Sequence, residues 1–136
     1  GAALPYAQGE ITRHGHAIEV RVNAEDPRTF MPAPGVATSV SWPLGTGVRV
    51  DTALYGGASI PPYYDSLVGK IIVWAQDRDQ ALARLRGALR ETEIEGIATT
   101  IPFFEVLLNE PDVRNGHVHT AWIEQWLDRT TPAVSE

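Results

Sequence analysis

Arg21 is the residue whose setting most invites chemistry. It stands in an alternating run in which Ile18, Val20, Val22 and Ala24 share one face, and Glu19, Arg21, Asn23 and Glu25 share the other. Strand residues two positions apart lie about 6.6 Å from one another, so Glu19, Arg21 and Asn23 form one row. A guanidinium between a carboxylate and an amide is expected to be held in orientation while keeping N–H donors for an anionic oxygen. The same row also fits a solvated surface ion pair. The second candidate is Pro61-Pro62-Tyr63-Tyr64-Asp65-Ser66. Its two prolines fix φ and stiffen the loop, so that Asp65 could orient an arginine or accept from a ligand N–H. Capping of the next element by Asp65 or Ser66 is the alternative. Arg49 follows the turn Gly45-Thr46-Gly47 and stands beside Asp51. It fits either an interface between protein copies or an exposed pair worth under about 1 kcal/mol.

Other chemistries find little support. The pairs His14/His16 and His117/His119 lack a carboxylate at ligand spacing and there is no cysteine, so no metal site is expected. Neither Gly45-x-Gly47 nor Gly56-Gly57 opens a helix as a phosphate loop would. Ten of the eleven basic residues are arginine and only Lys70 is lysine, too few ammonium groups to hold a nucleotide. A net charge of −6 over 136 residues argues against a nucleic-acid surface. No apolar run reaches the roughly 18 residues of a membrane span, and no basic, apolar leader opens the sequence. The opening Gly1-Ala2-Ala3-Leu4-Pro5 without an initiator methionine points to a piece of a longer polypeptide.

The elements that must position these residues follow from periodicity. The composition, 43% hydrophobic and 21% charged, is that of one globular domain. Strands are predicted at His16–Glu25, Val36–Trp42 and Val48–Tyr55. The β-branched run Lys70–Ala75 is predicted as a buried central strand. Phe30 and Met31 are expected to tuck inward from a proline-rich loop. Asp77, with Gln80 as its capping-box partner, starts a helix to about Thr92 that buries Ala81, Leu82, Leu85, Ala88 and Leu89 and exposes Arg84, Arg86 and Arg90. A second helix starts near Thr100 and is stopped by Pro111, with Phe103, Phe104, Leu107 and Leu108 inward. A third, capped by Thr120, presents Trp122, Ile123, Trp126 and Leu127, and the tail after Arg129 is expected to fray. Strands first and helices last give an α+β fold with an antiparallel sheet.

Gly15-His16-Ala17-Ile18-Glu19-Val20-Arg21-Val22-Asn23-Ala24-Glu25-Asp26-Pro27 resembles the G-H-A-x-E-x-R-(I/V)-N-A-E-D-P signature of biotin carboxylases. The same register continues through Phe30–Gly35, Gly47–Asp51, Pro61–Lys70 and Gly96–Thr100. The resemblance is to the C-terminal domain of that family. It implies a lead-in segment over 1–14 from a preceding ATP-grasp region, the domain proper over 15–128 and a tail over 129–136. It also implies ATP- and bicarbonate-dependent carboxylation of biotin on a carrier protein, with magnesium and nucleotide held by the ATP-grasp portion. An acetyl-CoA carboxylase is the foremost parent; propionyl-CoA, pyruvate and urea carboxylases stay open.

By resemblance, Arg21 stabilises the biotin enolate oxygen, Asp65 lies near biotin, and Glu19 and Asn23 support them. Arg49 falls at a homodimer interface position, with Thr46 in place of the usual aromatic residue and Val50 in place of tryptophan. Thr99-Thr100 replaces a frequent Thr-Asn. A cytoplasmic location is implied, or mitochondrial in a eukaryote, and the isolated 136 residues are expected to be inactive. A non-catalytic oligomerisation or carrier-docking module, or the C-terminal domain of another ATP-grasp ligase, remain the alternatives.

Overall fold

The computed structural model describes residues 1–130. Its main sheet has three antiparallel strands in the order β1-β6-β4: β1 (His16–Asn23), β4 (Val48–Thr52) and the central β6 (Leu67–Ala75). Two short ribbons flank it. In one, β2 (Gly35–Val36) pairs with β5 (Ser59–Ile60); in the other, β3 (Ser39–Ser41) pairs with β7 (Glu93–Glu95). Helix α1 (Arg78–Glu91) packs across β6 and β1. The chain ends in α2 (Ile101–Leu107), α3 (Pro111–Asn115) and α4 (Trp122–Thr130). The α+β class with an antiparallel sheet is the observed one. Among the described residues, no helix is long and apolar enough to cross a membrane.

The core forms because the inward rows of β1 (Val20, Val22) and β6 (Ile71, Val73) meet the α1 stripe of Leu82, Leu85, Ala88 and Leu89. Each buried aliphatic side chain of this kind contributes about 1.5–3 kcal/mol. Gly69 in β6 is a packing requirement: a Cβ there would lie 2.6 Å from the Trp42 ring. Asp77 caps α1 by accepting from the Gln80 N–H at 2.8 Å. The Gln80 side chain reaches the other Asp77 carboxylate oxygen at 2.6 Å, not the backbone N–H that a capping box would use.

Several expectations are corrected. The predicted strand Val36–Trp42 is two strands, because the chain changes partner at Ala37 and Thr38, whose N–H groups donate to Ala58 and Glu95 carbonyls. The strand from Val48 stops at Thr52, whose hydroxyl donates to the Val68 carbonyl and accepts from the Leu54 N–H. Strands β5 and β7 have no local signature and exist only as partners. Lys70–Ala75 is central but not buried on both faces: Ile72 is half-buried and Trp74 is 46% exposed.

The helical arginines are also partly recruited. Half-buried Arg84 and Arg86 donate to the Trp74 and Leu108 carbonyls, the second at 2.5 Å. Pro111 does not merely stop α2; it occupies the first turn of α3, where a missing N–H costs nothing. Ala121, not Thr120, supplies the first carbonyl of α4, to the Gln125 N–H. Met31 and Ile123 point outward, 65% and 42% exposed. Phe30 does turn inward, at φ 57°, with its ring edge-on to Phe103 at 4.9 Å. Arg129 and Thr130 belong to α4, and the rest of the predicted tail, 131–136, lies outside the described residues.

Thr100 begins α2 without capping it, and its hydroxyl serves β1 instead. It accepts from the Asn23 N–H at 3.1 Å and donates to the Arg21 carbonyl at 3.3 Å, while the Thr100 N–H donates to the Asn23 carbonyl. The free edge of β1 is thereby satisfied where it passes the helix. Thr100→Val keeps the shape but strands the Asn23 N–H, so the chain should lose about 1–3 kcal/mol in a denaturant titration, with Thr100→Ser largely sparing it.

Candidate functional site

The polar row of β1 faces away from the core, beside the outward row of β6 (Lys70, Ile72, Trp74) and of β4 (Arg49, Asp51). Register sets Arg21 directly opposite Lys70, and Lys70 directly opposite Asp51. Two cations face to face repel, so each turns to a carboxylate. Arg21 Nη2 lies 3.7 Å from Asp65 Oδ2. Lys70 Nζ sits between Glu19 Oε2 and Asp51 Oδ2, 3.8 Å from each.

This arrangement corrects the expected restraint of Arg21. Glu19 pairs with Lys70, and the Asn23 amide donates to Glu25 at 3.0 Å. Neither hydrogen-bonds the Arg21 guanidinium. What the structure does bring together are the two candidates from distant parts of the sequence, Arg21 and Asp65. Asp65 is steadied by its own turn, its Oδ1 accepting from the Leu67 N–H at 2.8 Å. The Arg21 and Asp65 side chains are 53% and 69% exposed, and at 3.7 Å they make an ionic contact that leaves Arg21 donors available. A guanidinium that is always charged, aimed outward and biased by one carboxylate, can accept an oxygen on which negative charge develops.

Arg49 lies one strand further on. Its Nε and Nη2 donate to the two Asp51 carboxylate oxygens at 2.8 and 2.9 Å, a bidentate fork. That fork raises the Arg49 guanidinium above its ordinary value and, with help from Lys70, holds the Asp51 carboxyl below its own. Thr46 is exposed in the turn before β4. His16 of the first histidine pair contacts Arg78 through a ring nitrogen, and His14 contacts the Thr12 hydroxyl. Lys70, Glu25, Ser66 and Thr100 were not singled out for chemistry from sequence. Lys70 carried one signal, as the single lysine inside an apolar strand.

The described residues thus form a three-stranded sheet backed by one long helix, with an outward Arg21–Asp65 pair beside a diproline loop. Residues 19–125 match the family described as the biotin carboxylase C-terminal domain. The chain is 46% identical over 127 residues to biotin carboxylase of Pseudomonas aeruginosa, covering 93% of this chain and 28% of that protein. It is 46% identical over 124 residues to the chloroplastic biotin carboxylase of Arabidopsis thaliana, covering 90% of this chain and 23% of the relative. In structure it is similar to the biotin carboxylase domain dimer of Hydrogenobacter thermophilus 2-oxoglutarate carboxylase, solved with MgADP, ADP and bicarbonate. The TM-score is 0.88 at 42% identity, over 92% of this chain and 28% of that one. The chain belongs to the biotin carboxylase C-terminal domain family. It spans about a quarter of the length of these relatives.

The Arg49–Asp51 fork has a pH signature. Asp51 is lowered in the folded chain from the ordinary 3.8. A depressed carboxyl contributes stability that is fully present above its unfolded value and lost as pH falls through the folded one. Thermal midpoints measured below neutral pH should therefore fall less steeply on the acid side in Asp51→Asn than in the unaltered chain.

Proposed function

We propose that this domain supplies Arg21 to the carboxylation of biotin carried on a partner protein, within an ATP- and bicarbonate-dependent biotin carboxylase. The observation that carries the reading is the outward guanidinium of Arg21, biased but not saturated by Asp65 at 3.7 Å. Biotin enters as substrate. When its N1 proton leaves, negative charge moves onto the ureido oxygen, and an N–H fork already aimed at that oxygen lowers the barrier without reorganising. A donor of this kind contributes about 3 kcal/mol. Asp65 lies close enough to orient the fork; Glu19 and Asn23 act at one remove, through Lys70 and Glu25. Nucleotide, magnesium and bicarbonate are assigned to the ATP-grasp portion of the polypeptide, outside this chain. The Hydrogenobacter relative, solved with MgADP, ADP and bicarbonate, supports their part in the chemistry.

The partners follow from the same reading: a biotin carrier, the ATP-grasp portion and a second copy of the enzyme. The surface proposed for the second copy carries Arg49 and Thr46, with exposed Trp74 on the same outer sheet face as Arg49. The location proposed is the cytoplasm. The final acyl acceptor is left as acetyl-CoA foremost, with pyruvate close behind because a pyruvate carboxylase of Rhizobium etli is similar in structure, at a TM-score of 0.87 and 36% identity.

In the parent enzyme, Arg21→Ala or Arg21→Met should lower kcat and kcat/KM for biotin together, by about a hundredfold, with ATP binding nearly unchanged. Arg21→Lys should recover only part of the rate, because an ammonium lacks the planar fork. Wild-type carboxylation by the alanine variant would reduce Arg21 to a surface ion-pair residue. The purified 136 residues should cleave no ATP in the presence of bicarbonate. A phosphate-release assay checks this, and measurable turnover would overturn the assignment of nucleotide chemistry to the ATP-grasp portion.

A further inference from the structure

The distance between Arg21 and Asp65 is not fixed by their own contact, since both side chains are more than half exposed and such pairs are weak. It is fixed where β1 leaves the sheet. Between Val22–Gly69 and Asn23–Leu67 the ladder skips Val68, a bulge that bends the strands apart. Just past it, the Ala24 N–H donates to the Ser66 carbonyl at 2.7 Å. The side chain of Glu25 closes the same joint. A single oxygen, Oε1, accepts from the Asn23 amide at 3.0 Å and from the Ser66 hydroxyl. Glu25 is half-buried, and its contacts in the described structure are these hydrogen bonds and not an ion pair. Hydrogen bonds to a carboxylate are about twice as strong as neutral ones, so this is the firmest side-chain tie between the two segments. Arg21 stands four residues before Glu25 on one segment, and Asp65 immediately precedes Ser66 on the other.

We propose that Glu25 is a positioning residue: by clamping Asn23 to Ser66 it sets the separation and aim of Arg21 and Asp65. The role rests on the reading of Arg21 given above. Releasing the clamp lets the proline loop and the strand end drift, and a shift of under an ångström at the guanidinium is enough to slow a reaction that depends on its aim.

The test uses the full biotin carboxylase that contains this domain, assayed with free biotin, ATP and bicarbonate. Glu25→Ala should lower kcat/KM for biotin about tenfold, leaving the KM for ATP unchanged. Glu25→Gln, which keeps an acceptor oxygen at the same place, should stay within about twofold of the parent. The decisive measurement is a double-mutant cycle with Arg21. In an Arg21→Ala background, Glu25→Ala should cost nothing further, whereas a residue that only supports the fold would cost as much as before. Should Glu25→Ala fail to fold, Ser66→Ala removes one of the two donors and is read by the same cycle, with a loss of about threefold. Parent-like activity of Glu25→Ala, a Glu25→Gln as slow as the alanine variant, or an undiminished loss in the Arg21→Ala background would each overturn the positioning role. If Arg21→Ala itself carboxylates biotin normally, the reading of the site falls and this role with it. If Arg21→Ala is slow and Glu25→Ala is not, the positioning role alone falls.

Discussion

The ladder between β1 and β6, running antiparallel from His16–Ala75 to Asn23–Leu67, is the constraint on which the rest of the domain depends. It has to be in this register. Side chains alternate with a period of two, so a slip of one residue would turn Val20 and Val22 to solvent and bury Glu19 and Arg21 against α1. Burial of the aliphatic row under Leu82, Leu85 and Leu89 therefore fixes the polar row as well. The energy that places Arg21 is hydrophobic, although the residue itself is charged and exposed.

That register also writes the charge pattern of the outer face. Arg21, Lys70 and Asp51 are set in line across three strands, so the neighbouring cations Arg21 and Lys70 repel and turn to different carboxylates. Lys70 takes Glu19 and Asp51, Arg49 closes on Asp51 from the side, and Arg21 is left with Asp65. Electrostatic competition thus keeps the Arg21 fork less engaged than that of Arg49, which is closed bidentately at 2.8 and 2.9 Å. An engaged fork suits a structural contact; an unsaturated one suits a transient negative charge.

The second half of the chain serves the first. Thr100 meets the free edge of β1, Arg78 ties the start of α1 to the end of α3 through the Arg114 carbonyl, and Phe103 supports the loop that carries Phe30. The loop's own staple is Asp26, whose carboxylate accepts from the N–H groups of Arg28 and Thr29 and is held below its ordinary value by them, Thr29 foremost. These are tertiary supports for the strand end from which Arg21, Asn23 and Glu25 project.

What the sequence determined by itself is what depends on near neighbours along the chain. The alternation of Ile18 to Ala24, the apolar stripe and Asp77 cap of α1, and the stiffness of Pro61-Pro62 are local properties. The helix and strand they imply are present, although the strand predicted to Glu25 ends at Asn23, where a bulge shifts the register. The biotin carboxylase signature around Arg21 was legible for the same reason. Tertiary structure decided every choice of partner. Glu19 left its sequence neighbour Arg21 for Lys70, and Thr100 gave its hydroxyl to a strand rather than its own helix. Gly35–Ser41 divided between two ribbons, and Glu93–Glu95 became a strand only because Ser39–Ser41 lay beside it. The physical reason is distance. Residues paired across a ladder approach to about 5 Å, nearer than the roughly 6.6 Å between same-face neighbours on one strand, so a folded chain answers first to contacts that its sequence does not set side by side.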